Sequence, residues 1–168
     1  MTSVTQIAAM LKLKPLPVEG GYFAETYRST TRIPGEALPE GYGGTRPLCT
    51  AIYYLLTPDT FSAMHRLRSD EIYHFYLGDP VEMLQIRPDG SFKMLRLGLD
   101  IPNGMEPQIV IPGGVWQGSR LLPGGEFALL GATMAPGFDP ADYEHGHRED
   151  LTRFCPGARD LIAALTRE

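Results

Sequence analysis

From Cys49 to Met134 the chain alternates short apolar runs with turn-forming residues, and this rhythm restricts the fold more than any other feature. Runs at 49–56, 61–67, 71–77, 81–86, 92–97, 108–111, 117–121 and 127–134 are rich in β-branched and aromatic residues. Clusters such as Thr57-Pro58-Asp59, Pro88-Asp89-Gly90 and Pro123-Gly124-Gly125 separate them. Asp-Gly between two such runs signals a hairpin, because the tight turns that match strand twist need residues tolerant of positive φ. Short strands recurring about every 8–12 residues predict an all-β sandwich or barrel.

The two ends read differently. Ser3-Val4-Thr5-Gln6 forms a capping-box pattern, in which the Ser and Gln side chains satisfy each other's free amides. Val4, Ile7, Ala8 and Leu11 then share a helical face, so a short helix that ends before Pro15 is expected to lie on the outside of a sheet. A strand is expected from Tyr22, entered through Gly20-Gly21, and the Gly- and Pro-rich residues 31–47 predict a loop over a pocket mouth. Asp139-Pro140 predicts a short helical turn, residues 149–154 a second, and Ala158, Leu161, Ile162 and Leu165 a final amphipathic helix.

At 168 residues the chain is expected to form one domain, residues 1–168, with a core large enough to stand without cross-links. Its formal charge of −5 and the lack of a basic cluster argue against nucleic acid and anionic membranes as partners. Cys49 and Cys155 are far apart in sequence and suit a reducing compartment. The N-terminus lacks the basic and apolar regions of a signal peptide, and no run approaches the ~20 apolar residues of a membrane span. A cytoplasmic protein is expected.

The chemistry concentrates in residues 61–80 and in a companion segment, 110–122. His65 and Glu71 flank a turn expected at Arg68-Ser69-Asp70. Strand alternation puts Glu71, Tyr73 and Phe75 on one face and Ile72, His74 and Tyr76 on the other, while Gln117, Ser119 and Leu121 share a face on the later strand. If the strands close into a barrel, His65, Glu71, Tyr73 and Gln117 converge. A ligand pocket of His65, Asp70, Glu71, Tyr73, Phe75, Gln117 and Ser119 would join an imidazole and a carboxylate to an aromatic wall, which suits orientation of a small molecule and proton transfer. Parity puts His74 outside this lumen as a packed, hydrogen-bonded histidine, and turns Trp116 away from Gln117, toward packing. Arg66 and Arg120 are expected to form surface ion pairs in preference to holding an anionic ligand.

His65, Glu71 and Gly78 match the spacing of the first motif of the cupin superfamily, and Pro112-Gly113-Gly114-Val115-Trp116-Gln117 resembles the second. With Glu19-Gly20-Gly21-Tyr22-Phe23, Ser69-Asp70-Glu71-Ile72-Tyr73-His74 and the C-terminal helix, the whole chain resembles a cupin branch catalogued as a domain of unknown function. The resemblance implies a cupin jelly-roll β-barrel, or double-stranded β-helix, with a short N-terminal helix and C-terminal helices, commonly homodimeric. The match is incomplete. Leu67 and Gln117 stand where metal-binding histidines belong, and Asp59 and Glu106 replace the leading glycines. A metal would have only His65, Glu71 and the weak ligand Gln117, so a pocket without metal is favoured and the cofactor stays open.

Metal-free epimerases of this fold use a His base, an orienting carboxylate and a Tyr acid. The resemblance implies those parts for His65, for Glu71 or Asp70, and for Tyr73, acting on a sugar-like or other small polar metabolite. A metal-dependent oxygenase or lyase and a non-catalytic binding module are the alternatives, and a His65–Glu71 pair retained only for structure is the plainest of all. Two further patterns carry no chemistry: Gly124-Gly125-Glu126-Phe127 reads as a hairpin turn, and His145-Gly146-His147 as a solvated linker.

Overall fold

The computed structural model describes residues 3–167. One helix, α1 (Val4–Met10), precedes thirteen strands: β1 (Lys14–Pro15), β2 (Tyr22–Arg28), β3 (Arg32–Ile33), β4 (Arg46–Pro47), β5 (Thr50–Leu56), β6 (Ser62–Arg66), β7 (Asp70–Gly78), β8 (Val81–Ile86), β9 (Phe92–Leu97), β10 (Gln108–Ile111), β11 (Trp116–Leu121), β12 (Ala128–Ala135) and β13 (Glu144–His145). Helices α2 (Arg148–Phe154) and α3 (Arg159–Ala164) follow. Two antiparallel sheets face each other, one in the order β1-β2-β5-β12-β7-β10 and the other β13-β6-β11-β8-β9. This is the expected jelly roll, with the strands of each sheet drawn from distant parts of the chain.

Three layers of packing follow from strand alternation. Inward residues of both sheets, including Tyr54, Leu56, Tyr73, Val81, Met83, Ile109, Leu121 and Leu130, form the lumen core. On the outside of the larger sheet, Ile7 of α1 packs with Leu55 and Leu129. The capping box forms as expected: Gln6 N–H donates to Ser3 Oγ, and Ser3 N–H to the Gln6 side chain. On the outside of the smaller sheet, Leu151, Ile162 and Leu165 from the C-terminal segment cover Met64, Leu84 and Ile86, with Trp116 beside them. Each fully buried aliphatic side chain there contributes about 1.5–3 kcal/mol. Trp116 therefore packs against the helices, away from the lumen.

The Pro88-Asp89-Gly90 turn joins β8 and β9 as expected, with Gly90 at φ +80° and the Asp89 carboxylate accepting from Ser91. Gly124-Gly125 is likewise a turn leading into β12. Two expectations need correction. Residues 31–47 are not all loop: β3 and β4 pair within them, around a 3-10 turn at Gly35–Ala37. His145 is not in a solvated linker, because β13 pairs with β6 and sets His145 directly opposite His65. Two residues of strand flanked by charges carry no periodicity from which to read this.

Candidate functional site

A bulge in β6 builds the polar end of the lumen. Gln117 opposes His65 and Ser119 opposes Ser62, so three steps along β6 match two along β11. The extra residue reverses strand parity. Both Ser62 and His65 thereby reach the lumen side, while Met64 packs outward under the C-terminal helices. Because opposed residues share a face, His145, His65, Gln117 and Gln85 form a polar row across β13, β6, β11 and β8. His65, Gln117, Gln85 and Ser119 are almost fully buried.

Within this row His65 has one defined tautomer when neutral. Its Nδ1 lies 2.7 Å from the carbonyl oxygen of Ala63. A carbonyl only accepts, so Nδ1 carries the proton and Nε2 presents its lone pair. Nε2 lies 3.9 Å from Glu19 Oε2. The other oxygen of Glu19 accepts from Ser62 Oγ at 2.9 Å. Across the lumen, Gln117 Nε2 donates to Glu71 Oε2 at 2.5 Å. Burial raises the Glu71 pKa to about 7; His65 opposes that rise, Glu19 adds to it, and the bond from Gln117 opposes it. Burial also holds the Tyr54 and Tyr73 phenols well above their usual range.

Glu19 arrives from outside the strands that carry the rest. The chain turns sharply at residues 17–21, with Val18 at φ +68°, Gly20 at +102° and Gly21 at +72°. A Cβ on Gly20 would lie 2.4 Å from the Phe61 carbonyl oxygen, and one on Gly21 2.9 Å from that of Leu55. Only glycine lets the turn press this closely against the barrel. The Glu19 carbonyl accepts from Ala63 N–H at 2.8 Å, and that of Gly20 from Tyr54 Oη at 2.8 Å. These bonds fix the turn and point the Glu19 carboxylate at His65.

Of the residues expected to line the pocket, His65, Glu71, Tyr73, Gln117 and Ser119 are buried, and Phe75 packs against the apolar core below them. Asp70 differs: it is exposed and accepts from Gly113 N–H at 2.8 Å, tying together two turns at the barrel mouth. The carboxylate beside Nε2 of His65 is Glu19, in place of the expected Glu71 or Asp70. Glu19 was legible only as a carboxylate before two glycines, and Gln85 only as a polar residue in phase with Val81 and Met83. Tyr143 left no signal, yet its ring stacks on His65 at 5.2 Å and 18°. The buried Ser119 Oγ, Tyr143 Oη and His145 Nδ1 have no hydrogen-bond partner among the described residues.

The His65–Glu71–Gln117 set does not fit the metal centre that the cupin pattern implies. Among the described residues no three His, Cys, Asp or Glu side chains gather to hold a metal ion. Gln117 also turns its amide nitrogen, a donor, onto the Glu71 oxygen that a metal would need.

Outside the lumen, Gln108 Nε2 donates to His74 Nδ1 at 3.1 Å, so His74 Nε2–H donates to Thr133 Oγ1 at 3.2 Å. His74 is thus a satisfied histidine on the outer face. Arg120 pairs with Glu82 and Arg66 with Glu144. At the mouth, a cleft of about 540 Å³ lies between residues 39–42, Arg66-Leu67-Arg68, Gly113-Gly114 and residues 141–144. Tyr143 lines this cleft and stands between it and His65. The buried Arg46–Asp142 pair, with two contacts of 2.7 Å, holds the rim.

Residues 5–146 match the family described as Cupin superfamily (DUF985). The yeast protein YML079W of Saccharomyces cerevisiae is 38% identical over 147 residues, covering 83% of this chain and 73% of the yeast protein. The structure of protein SO0799 from Shewanella oneidensis superposes with a TM-score of 0.86 at 32% identity, over 99% of both chains. A Leishmania major protein superposes with a TM-score of 0.89 at 29% identity, again over 99% of both. With nearly the whole barrel matched in sequence, and the barrel with its flanking helices in structure, the chain belongs to the DUF985 family of the cupin superfamily.

Proposed function

We propose that the protein is a metal-independent proton-transfer enzyme of epimerase or isomerase type, acting on a small carbonyl-bearing metabolite. The observation that carries this reading is the orientation of His65: Nδ1–H bound to the Ala63 carbonyl, Nε2 open beside Glu19. A base so held removes a proton from the carbon next to a carbonyl. The C–H electron pair becomes a C=C bond, the carbonyl oxygen takes the negative charge, and Glu19 stabilises the imidazolium. Glu71, with its pKa near 7, is partly protonated at neutral pH and supplies a proton to that oxygen. Tyr73, kept neutral by burial, adds a hydrogen bond. Return of that proton to the same face regenerates the substrate; delivery of a solvent-derived proton to the opposite face, as Glu71 takes back the oxygen's proton and His65 releases its own to solvent, gives the epimer.

The test is solvent deuterium incorporation into a panel of keto-sugars and nucleotide sugars, with His65→Gln as comparison. Exchange that His65→Gln abolishes supports the reading; no exchange across the panel defeats it. A non-catalytic binding module is the second reading, favoured by the near-complete burial of His65 and Tyr73. It expects a His65→Ala variant to bind ligand with little loss.

A homodimer through the outer face of the larger sheet is part of the proposal. Tyr27, Tyr76 and Val110 are about half exposed on that face, next to Tyr53, Ile72 and His74. The free thiols of Cys49 and Cys155 suit a reducing compartment such as the cytoplasm. No described helix is long and apolar enough to cross a membrane.

A further inference from the structure

We infer that the mouth cleft is an anion-binding subsite in which Arg68 anchors the carboxylate of the small molecule that reaches His65. The charges in the cleft are unequally matched. Arg66 holds Glu144 through two contacts, at 2.7 and 3.0 Å, and is neutralised there. Arg46 holds both oxygens of the buried Asp142, each at 2.7 Å. Arg68 reaches the same Asp142 at only 3.6 Å, at an oxygen already engaged, and its side chain is 51% exposed. One carboxylate thus faces two guanidinium groups, and Arg68 is the surplus cation. Glu40, the remaining acid of the lining, is exposed to solvent.

Position and chemistry then select the ligand. Arg68 follows Leu67, two residues beyond the cleft's Arg66 and three beyond His65, so the subsite adjoins the lumen. The link between them is Tyr143, which lines the cleft, stacks on His65 and keeps a buried hydroxyl without a partner. A ligand carbonyl or hydroxyl inserted beside it would satisfy that hydroxyl. Nearby backbone donors are already engaged: Gly113 N–H binds Asp70, and Gly114 N–H binds the Leu67 carbonyl. One planar guanidinium, held only at 3.6 Å by an already engaged carboxylate, matches the two oxygens of a second carboxylate. A phosphate dianion calls for several backbone donors beside the guanidinium, and among the described residues of the rim those of Gly113 and Gly114 are already engaged. The substrate class that follows is a small carboxylic acid, its carboxylate at Arg68 and its carbonyl end directed past Tyr143 toward His65.

The subsite deepens the proton-transfer reading but is tested without it. Malonate is titrated into the full-length protein by calorimetry, with the uncharged malonamide as control. Malonate binding is expected, with malonamide at least about tenfold weaker. Arg68→Gln should weaken malonate at least about tenfold, the loss typical of a charged hydrogen bond. Arg68→Lys should recover part of it, whereas Arg96→Gln, the same charge change at an exposed residue of β9, should leave malonate affinity unchanged. Thermal melts confirm that each variant is folded. No malonate binding at tens of millimolar, equal binding of malonamide, or unchanged affinity in Arg68→Gln overturns the subsite. Malonate binding that depends on Arg68, with no deuterium exchange on any substrate, would remove the proton-transfer reading and leave the subsite standing.

Discussion

Replacing Glu71 with Gln removes a buried carboxylate while nearly keeping its shape and its place opposite Gln117. Burial raises the Glu71 pKa to about 7 from an ordinary value of 4.5. A carboxyl group whose pKa is higher in the folded protein holds its proton more tightly there. Its stabilising contribution is therefore fully present below the unfolded value and is lost as pH rises through 4.5 toward 7. Complete ionisation costs about 3 kcal/mol. Of this, about 2–3 kcal/mol falls between about pH 5 and about pH 8. Glutamine does not titrate, so the stability of Glu71→Gln relative to wild type should rise by about that amount over the interval. Urea unfolding followed by circular dichroism at both pH values measures it, and subtracting wild type from variant at each pH cancels the titrating groups that do not interact with Glu71. A difference that stays constant within about 0.5 kcal/mol, or moves the other way, refutes the placement of Glu71 as a desolvated carboxyl.

Other perturbations test the scaffold around the site. Asp142→Ala strands the Arg46 guanidinium in a buried setting and should cost about 3–5 kcal/mol, or roughly 6–20 °C in Tm. The paired change Arg46→Met with Asp142→Leu should restore most of that loss in thermal melts. Gly20→Ala sets a Cβ against the Phe61 carbonyl at positive φ and should destabilise by roughly 1–3 kcal/mol while displacing Glu19; an unchanged denaturation midpoint would contradict the tight turn. The outer sheet face should make the protein sediment as a dimer at micromolar concentration, and Tyr76→Glu should yield the monomer; a wild-type monomer defeats the dimer proposal.

The expected strands lie within a residue or two of those observed, because period-2 alternation and the Gly, Pro and Asp turns act locally. Val81–Ile86, Phe92–Leu97 and Gln108–Ile111 match to the residue. Alternation also separated Glu71 and Tyr73, which face the lumen, from His74 and Tyr76, which do not. It failed at β6, where a bulge invisible in the sequence puts Ser62 and His65, three apart, on one side. It failed again at β13, whose two residues are strand only because β6 offers them an edge.

The sequence by itself determined a β-barrel of this family and, at motif spacing, His65, Glu71 and the two missing imidazoles, since each depends on residue type and spacing along one stretch of chain. The tertiary structure alone decided which carboxylate meets His65. Glu19 lies 46 positions before that histidine, and it reaches the ring only because a glycine turn presses against the barrel end. The same holds for Tyr143 over His65 and for Arg68 facing an Asp142 already held by Arg46. Contacts between distant segments depend on closure of the barrel, and local pattern carries no record of them.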